Sequence, residues 1–368
     1  MITLDSPKVS ICVASYNHAR FLPATLDSIL RQTYPHVEAV VVDDGSTDSS
    51  FEILEQYRRE FPQRFHVFTH PNRANRGISA TFNLATEKAT GAYWSCLGSD
   101  DILYPDKIAE QVRFLDEHRE IDWVYGFAHF IDDQGRRLVG LFGSDITRTD
   151  SAIETLILGN RIPGMTVLAR RDCIEKVGPH DEDLIYSDWE FWIRLLAHHK
   201  AGFMARPLVQ YRVHSTNTSV GVDRRENWKR GIAVLESIKE KSPSIGGDLN
   251  RPRIRALICF QLALHYFHLD NETAAAKYLQ EVFEIAPTGQ SQYEYLLSWL
   301  TPLGVRPSFF AFVRRRLPPT LAKNIRRKVS KRLGAAQFVS GARNASLALV
   351  PENIRSVLRR TRSRLVNR

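Results

Sequence analysis

Cysteine is scarce in this chain. The four present, Cys12, Cys96, Cys173 and Cys259, are too far apart to match a zinc or redox spacing. A disulfide framework and a cysteine-clustered metal centre are thereby disfavoured, and the thiols read as small buried hydrophobes of a reducing compartment. Long apolar runs are missing as well, so no segment predicts a membrane span. The opening stretch MITLDSPKVSICVASYN has no basic region followed by an apolar one, which argues against a secretory signal. No G-x-G-x-x-G follows the first apolar run, which disfavours a dinucleotide dehydrogenase, and no glycine-rich loop bearing Lys or Arg follows it, which disfavours a nucleotidyltransferase. The rest is ordinary: 43% hydrophobic and 25% charged over 368 residues, enough for one large α/β domain and an appendage.

Acid is nearly absent from one end. From Val305 to Arg368 there are 17 Lys and Arg against one acid, Glu352, a formal +16. The preceding 304 residues hold 33 bases and 40 acids, a formal −7, so the overall +9 belongs to the tail. Within it, Leu317, Leu321, Ile325, Val329 and Leu333 recur every fourth residue, with Arg326, Arg327, Lys328, Lys331 and Arg332 between them. PENIRSVLRRTRSRLV sets Ile354, Val357, Leu358 and Leu365 against five arginines. Basic amphipathic helices of this kind suit an anionic membrane surface. A solvated helix packed on the body is the other reading. Nucleic acid is not expected as a partner, because the tail lacks interleaved aromatics and the body is acidic.

The first part of the chain alternates strand and helix. KVSICVASYN, VEAVVVDD, RFHVFTH and AYWSCLGSDD read as strands, and ARFLPATLDSILRQT, SSFEILEQYRREF and GISATFNLATEKATG as helices, the last closed by Gly91. These strands are continuously apolar, which predicts a mostly parallel sheet covered by helices on both faces. In such sheets ligands bind beyond the carboxyl ends of the strands, where this chain places ASYN, DDGSTD and GSDD. From Asp122 onward, DWVYGFAHFIDDQGRRLVG predicts a hairpin and PGMTVLARRDCIEKVG a strand and short helix. YSDWEFWIRLLAHH predicts an amphipathic helix with Trp189, Trp192, Ile193 and Leu196 on one face. Beyond about Val220 the texture is helical, with one helix-turn-helix unit in ALICFQLALHYFHLDNETAAAKYLQEVFEIAP. The expected division is a catalytic domain over 1–220, a helical appendage over 221–304 and the basic tail over 305–368.

Two adjacent carboxylates, Asp100 and Asp101, close an apolar run. Like charges there repel and are costly to desolvate unless a positive charge lies between them, and a hard divalent cation with oxygen ligands is one candidate. A solvated loop is the alternative. In VVDDGSTDSS, Asp48 or a neighbouring hydroxyl caps the next helix, which leaves Asp43 and Asp44 at a strand end, where a carboxylate can accept the imino N–H of a base. Ser187 and Glu190 fit a capping box, which by itself accounts for Asp188 in a first helical turn; a general base projecting into the crevice is the second reading. His214 follows a late strand and becomes a metal ligand only if that strand ends beside the aspartates.

Taken in order, ASYN, DDGSTD, NRGISATFN, GSDDILYPDKI, YSDWEFWIRL and YRVHSTNTS resemble the family 2 glycosyltransferases of the GT-A fold, from about Lys8 to Ser219. The resemblance implies an inverting transfer of a sugar from a nucleoside diphosphate donor, UDP-linked by preference, to a glycan or lipid-linked acceptor in surface polysaccharide synthesis. It implies that Ala14, Ser15, Tyr16 and Asp44 hold the nucleoside, that Asp100 contacts the ribose side, and that Asp101 binds the Mn²⁺ or Mg²⁺ bridging the diphosphate. His214 would assist at the metal, and Asp188 would be the base. Relatives often carry Arg-Asn where this chain has Phe82 and Asn83; Asn83 is retained as a donor contact, with Arg73 or Arg76 supplying the charge. The implied location is cytoplasmic, peripheral on the inner face of a membrane. A non-catalytic nucleotide-sugar-binding module is the alternative, against which Asp101, Asp188 and His214 speak.

Overall fold

The computed structural model describes residues 6–149, 151–217, 222–285 and 307–316. They fall into two compact units. One runs to Leu156 and resumes from Asn160 to Val222; the other holds Ile157–Gly159 and continues from Asp223.

The first unit contains β1 (Val9–Ser15), α1 (Leu22–Leu30), β2 (Val37–Asp43), α2 (Ser50–Glu60), β3 (Phe65–Thr69), α3 (Ile78–Lys88), β4 (Tyr93–Gly98), the two-residue β5 (Ile102–Leu103) and α4 (Lys107–Glu117). It continues with β6 (Trp123–Ile131), β7 (Arg137–Phe142), most of α5 (Ala152–Ile157), β8 (Leu168–Arg170), α6 (Arg171–Val177), α7 (Ser187–His198) and β9 (Ala201–Arg212). All nine strands form one sheet, ordered β3-β2-β1-β4-β8-β6-β9-β5, with β7 paired outside this path to β6. The half made of β3, β2, β1 and β4 is parallel, as the continuous apolar runs predict. β2 is buried along its whole length, and α1 and α4 cover the sheet with Leu22, Leu26 and Ile29 and with Ile108, Val112 and Leu115. The other half is mixed: β8 runs antiparallel between β4 and β6, and β9 lies parallel to β6.

Register sets the site. Ser15 lies opposite Asp43, and Ala14 opposite Gly98, so the loops after β1, β2 and β4 leave one edge of the sheet together. β6 and β9 end at the same edge, where Ile131 pairs with Arg212.

Two local expectations change. α3 ends at Lys88, so Gly91 does not close it; a Cβ on Gly91 would lie 2.6 Å from the Ser10 amide nitrogen, and the glycine is there to let this turn approach β1. The buried surface of α7 is wider than one stripe: Phe191 and Leu195 are buried with Trp189, Trp192 and Ile193, while Leu196 is only partly covered. All four cysteines are free and buried.

The second unit is helical, with α8 (Arg224–Ile245), α9 (Pro252–His268), α10 (Glu272–Ile285) and α11 (Pro307–Arg316). Between α9 and α10 the chain turns at Asp270, which takes a left-handed φ of 63°. Phe309 and Phe312 of α11 pack on Phe267 of α9 at centroid distances of 5.1 and 5.0 Å. α11 is therefore part of the helical unit, although its sequence lies beyond the expected boundary at 304. The basic stripes from Leu317 onward lie outside the described residues. No described helix is long and apolar enough to cross a membrane.

Candidate active site

The β1–α1 loop is laced to the β2–α2 loop by its own backbone. The amides of Asn17, His18 and Ala19 donate to Ser46 Oγ, Ser50 Oγ and Asp48 Oδ2, each at 3.0 Å. Asn17 takes a left-handed φ of 50°, and its Oδ1 accepts the Thr47 amide at 2.7 Å. Asp48 also accepts the amide of Ser50, so it serves the start of α2 as well as this loop. Tyr16 stands exposed at the rim. Ser15 Oγ is buried without a hydrogen-bond partner among the described residues.

Asp43 accepts from the amide and hydroxyl of Ser46 and so closes its own turn. Asp44 accepts the amides of Arg76 and Gly77 at 2.6 and 3.0 Å, which docks the start of α3 on the end of β2. Of the two arginines considered there, Arg73 comes within 3.9 Å of Asp43, and Arg76 points to Glu182. Asn83 does not join them. Its amide donates to the carbonyl of His180 and to Glu182, and its Oδ1 accepts the His180 amide, a clamp on the loop before α7.

At the end of β4 the aspartate pair meets a cation. Arg212, the last residue of β9, donates from its amide to Asp101 Oδ1 at 2.9 Å and from Nε to the Asp100 carbonyl at 2.8 Å. The buried guanidinium thus relieves part of the like-charge repulsion for which the sequence suggests a metal. Burial, and then the neighbouring Asp100 carboxylate, push the Asp101 carboxyl well above the usual carboxylate range. Asp100 Oδ2 instead faces His214 Nε2 at 2.9 Å and Asn217 Nδ2 at 3.2 Å. Its carboxylate folds back over Gly98, where a Cβ would sit 2.6 Å from Asp100 Oδ1.

His18, Asp100 and His214 bring one ligand atom each within 4.8 Å of one another. Asp101, to which the resemblance assigns the metal, is the adjacent carboxylate, with Oδ1 on the Arg212 amide. One carboxylate and two imidazoles fit a divalent first-row cation. Burial lowers the affinity of His18 for a proton, which favours the neutral, ligating form of the ring. A second group, Asp122, Cys173 and His199, lies at the opposite edge of the sheet, where Asp122 accepts the Lys200 amide.

Asp188 occupies the first turn of α7, but the capping box is not formed. Ser187 Oγ pairs with Ser79 Oγ of α3 at 2.7 Å, and Glu190 pairs with Arg194 at 2.8 Å. Burial raises the Asp188 carboxyl above the usual carboxylate range, and the bond from Asn160 Nδ2 at 2.9 Å partly offsets this. Burial raises the Cys96 thiol on β4, and the Asp188 and Asp101 carboxylates add to the rise, so both acids lie within electrostatic reach of this strand. Arg212, His18 and Asn160 carry no recognisable motif. The nearest signal for Arg212 is its place two residues before His214, and for His18 its place just after Asn17.

A parallel β-α-β half whose polar loops meet a carboxylate–imidazole cluster at one sheet edge fits a GT-A type of glycosyltransferase fold. The model of glycosyl transferase family 2 matches residues 10–177. A Haemophilus influenzae protein named as an uncharacterized glycosyltransferase is 30% identical over 195 residues, covering 52% of this chain and 73% of its own length. The chain belongs to glycosyl transferase family 2. A Rickettsia typhi glycosyltransferase is 28% identical over 58% of this chain, and the match spans 66% of that protein. Among solved structures, Staphylococcus aureus TarS 1–349 in complex with UDP-GlcNAc superposes with a TM-score of 0.59 at 19% identity, covering 84% of this chain and 88% of that one. A mannosyltransferase of Pyrobaculum calidifontis in complex with GDP-Man and Mn²⁺ gives 0.52 at 18% identity, covering 85% of each chain. At these identities the two structures bear on the fold.

Proposed function

We propose that this chain transfers a sugar, with inversion, from a nucleoside diphosphate donor to a hydroxyl of a glycan or lipid-linked acceptor. The observation that carries the reading is the group of His18, Asp100 and His214 at the carboxyl end of β4. It lies at the edge where β1 and β2 also end, so nucleoside and diphosphate can be held side by side. UDP-GlcNAc bound to TarS, and GDP-Man with Mn²⁺ bound to the mannosyltransferase, support a nucleotide-sugar donor and a divalent ion. UDP remains the preferred nucleotide, and surface polysaccharide the preferred product.

Ala14, Ser15 and Tyr16 would border the nucleoside. The Asp44 carboxylate, although it holds the α3 start, has lone pairs left to receive an imino N–H. Asp100 and His214 would hold Mn²⁺ or Mg²⁺, with Asp101 beside them and Arg212 fixing the pair. When bound, the cation supplies Lewis-acid neutralisation of the departing diphosphate. Asp188 takes the proton of the acceptor hydroxyl as that oxygen attacks the face opposite the diphosphate, which inverts the anomeric centre. Asn160 orients the carboxylate for this. General-base assistance of this kind contributes roughly 10²–10⁴ in rate. A base in the folded chain with a raised proton affinity is a stronger base at neutral pH than an exposed aspartate.

We place the acceptor on an anionic membrane surface reached through the basic tail; this rests on its +16 charge and apolar periodicity. Thermal-shift titration with UDP- and GDP-sugars, with and without Mn²⁺, tests the donor reading. Stabilisation by a nucleotide sugar that grows with Mn²⁺ supports it, and indifference to every donor refutes it.

A further inference from the structure

We propose that His18 is a protein ligand of the divalent cation alongside Asp100 and His214, making a site of two imidazoles and one carboxylate that selects Mn²⁺ over Mg²⁺. This rests on the metal-dependent reading above and adds a ligand and a selectivity to it.

Three features of His18 carry the assignment. Its backbone is pinned, with its amide on Ser50 Oγ and those of its neighbours on Ser46 and Asp48. Its ring is oriented as well: Nδ1 lies 2.8 Å from Ser99 Oγ, the residue next to Asp100, and with Nδ1–H donating there the Nε2 lone pair remains for a cation. His214 has its Nδ1 held likewise, at 2.8 Å from Thr216 Oγ1, while its Nε2 lies 2.9 Å from Asp100 Oδ2 and 3.1 Å from Asn217 Nδ2. Two rings, each with one nitrogen held by a hydroxyl, meet edge to face at 5.3 Å with a carboxylate between their reach. Outer hydrogen bonds that fix ring orientation and tautomer are the usual accompaniment of metal-binding histidines.

Selectivity follows from the donor atoms. Mg²⁺ favours oxygen, keeps its waters and demands near-ideal octahedral geometry. Two imidazole nitrogens deprive Mg²⁺ of the oxygen donors it demands, whereas Mn²⁺, the first member of the first-row series, takes nitrogen as well as oxygen.

The test is Mn²⁺ binding to the full chain with UDP present, read by pulsed EPR and by Mg²⁺ competition. The wild-type spectrum should carry couplings from two imidazole nitrogens, and His18→Gln, which retains an amide to meet Ser99, should carry one. That variant should weaken Mn²⁺ by about 10- to 100-fold and leave Mg²⁺ affinity unchanged, and Ser99→Ala should weaken Mn²⁺ by about 10-fold. Melting curves of both variants establish that they fold. The proposal is overturned if folded His18→Gln keeps the two-nitrogen spectrum and full Mn²⁺ affinity, or if the wild type binds Mg²⁺ as tightly as Mn²⁺. In those outcomes, loss of binding in Asp100→Asn or His214→Gln still upholds the metal reading. If the full chain binds neither cation with UDP present, both readings fall.

Discussion

Lys107 opens α4 beneath the β4 strand, fully buried, with Nζ 3.0 Å from Ser95 Oγ and 3.4 Å from the Val167 carbonyl. A cation at a helix N-terminus opposes the macrodipole, and among the described residues no carboxylate is hydrogen-bonded to this one. Burial lowers the ammonium from the ordinary lysine value of 10.5 to about 7. At about 1.36 kcal/mol per pH unit, keeping it in the folded chain costs about 4 kcal/mol at pH 7 and about 2 kcal/mol at pH 9. The folded-state value lies below the unfolded one, so between about pH 7 and 10.5 the unfolded chain binds more protons and stability rises with pH. Lys107→Met keeps the length and removes the charge, at the expense of a hydrogen bond worth about 1 kcal/mol. The variant should therefore be more stable than the wild type by about 3 kcal/mol at pH 7 and about 1 kcal/mol at pH 9. Urea unfolding followed by tryptophan fluorescence at the two pH values measures this difference. An advantage that does not shrink between pH 7 and 9, or a variant less stable at pH 7, refutes the reasoning.

Three further outcomes follow from named contacts. Gly91→Ala forces a Cβ against the Ser10 amide and the Lys8 carbonyl, both backbone, and should destabilise by about 1–3 kcal/mol in the same urea assay. Asn160→Ala removes a bond that favours the charged Asp188 carboxylate, so the acid limb of the kcat/KM profile for donor turnover should move to higher pH. Deleting residues 317–368, while keeping the α11 aromatics Phe309 and Phe312 in the helical unit, should abolish salt-sensitive binding to anionic liposomes and spare donor hydrolysis; a full-length chain that ignores such vesicles at low salt would sink the membrane role.

The parallel half of the sheet is legible because its strands are buried on both faces, and VEAVVVD has no polar alternation except Glu38. That acid is met by Ser10 and Thr90 from distant positions. The mixed half is harder to read: β5 has two residues, β8 three, and the β6–β9 register shifts twice near Phe127. Asp100, Asp188 and His214 stand out because each interrupts or ends an apolar pattern. Their partners do not, since those are chosen by tertiary contact. Ser187 has the spacing of a capping box, yet Ser79, 108 residues away, takes its hydroxyl. Asn83 lies in a motif-like segment and serves the His180 loop. His18 becomes visible only when Ser99, 81 residues on, meets its ring. In the same way, the positive charge that the aspartate pair demands comes first from Arg212, whose amide and Nε reach them only because β5, directly after the pair, is hydrogen-bonded to the end of β9.

The central claim is inverting transfer with Asp188 as the base. It is tested most directly by proton NMR of the sugar released from an α-linked nucleotide donor, in the wild type and in Asp188→Asn. The β-anomer should appear first, and the variant, still binding donor, should turn over at least about 10²-fold more slowly. Initial release of the α-anomer, or undiminished turnover by Asp188→Asn, would contradict the account.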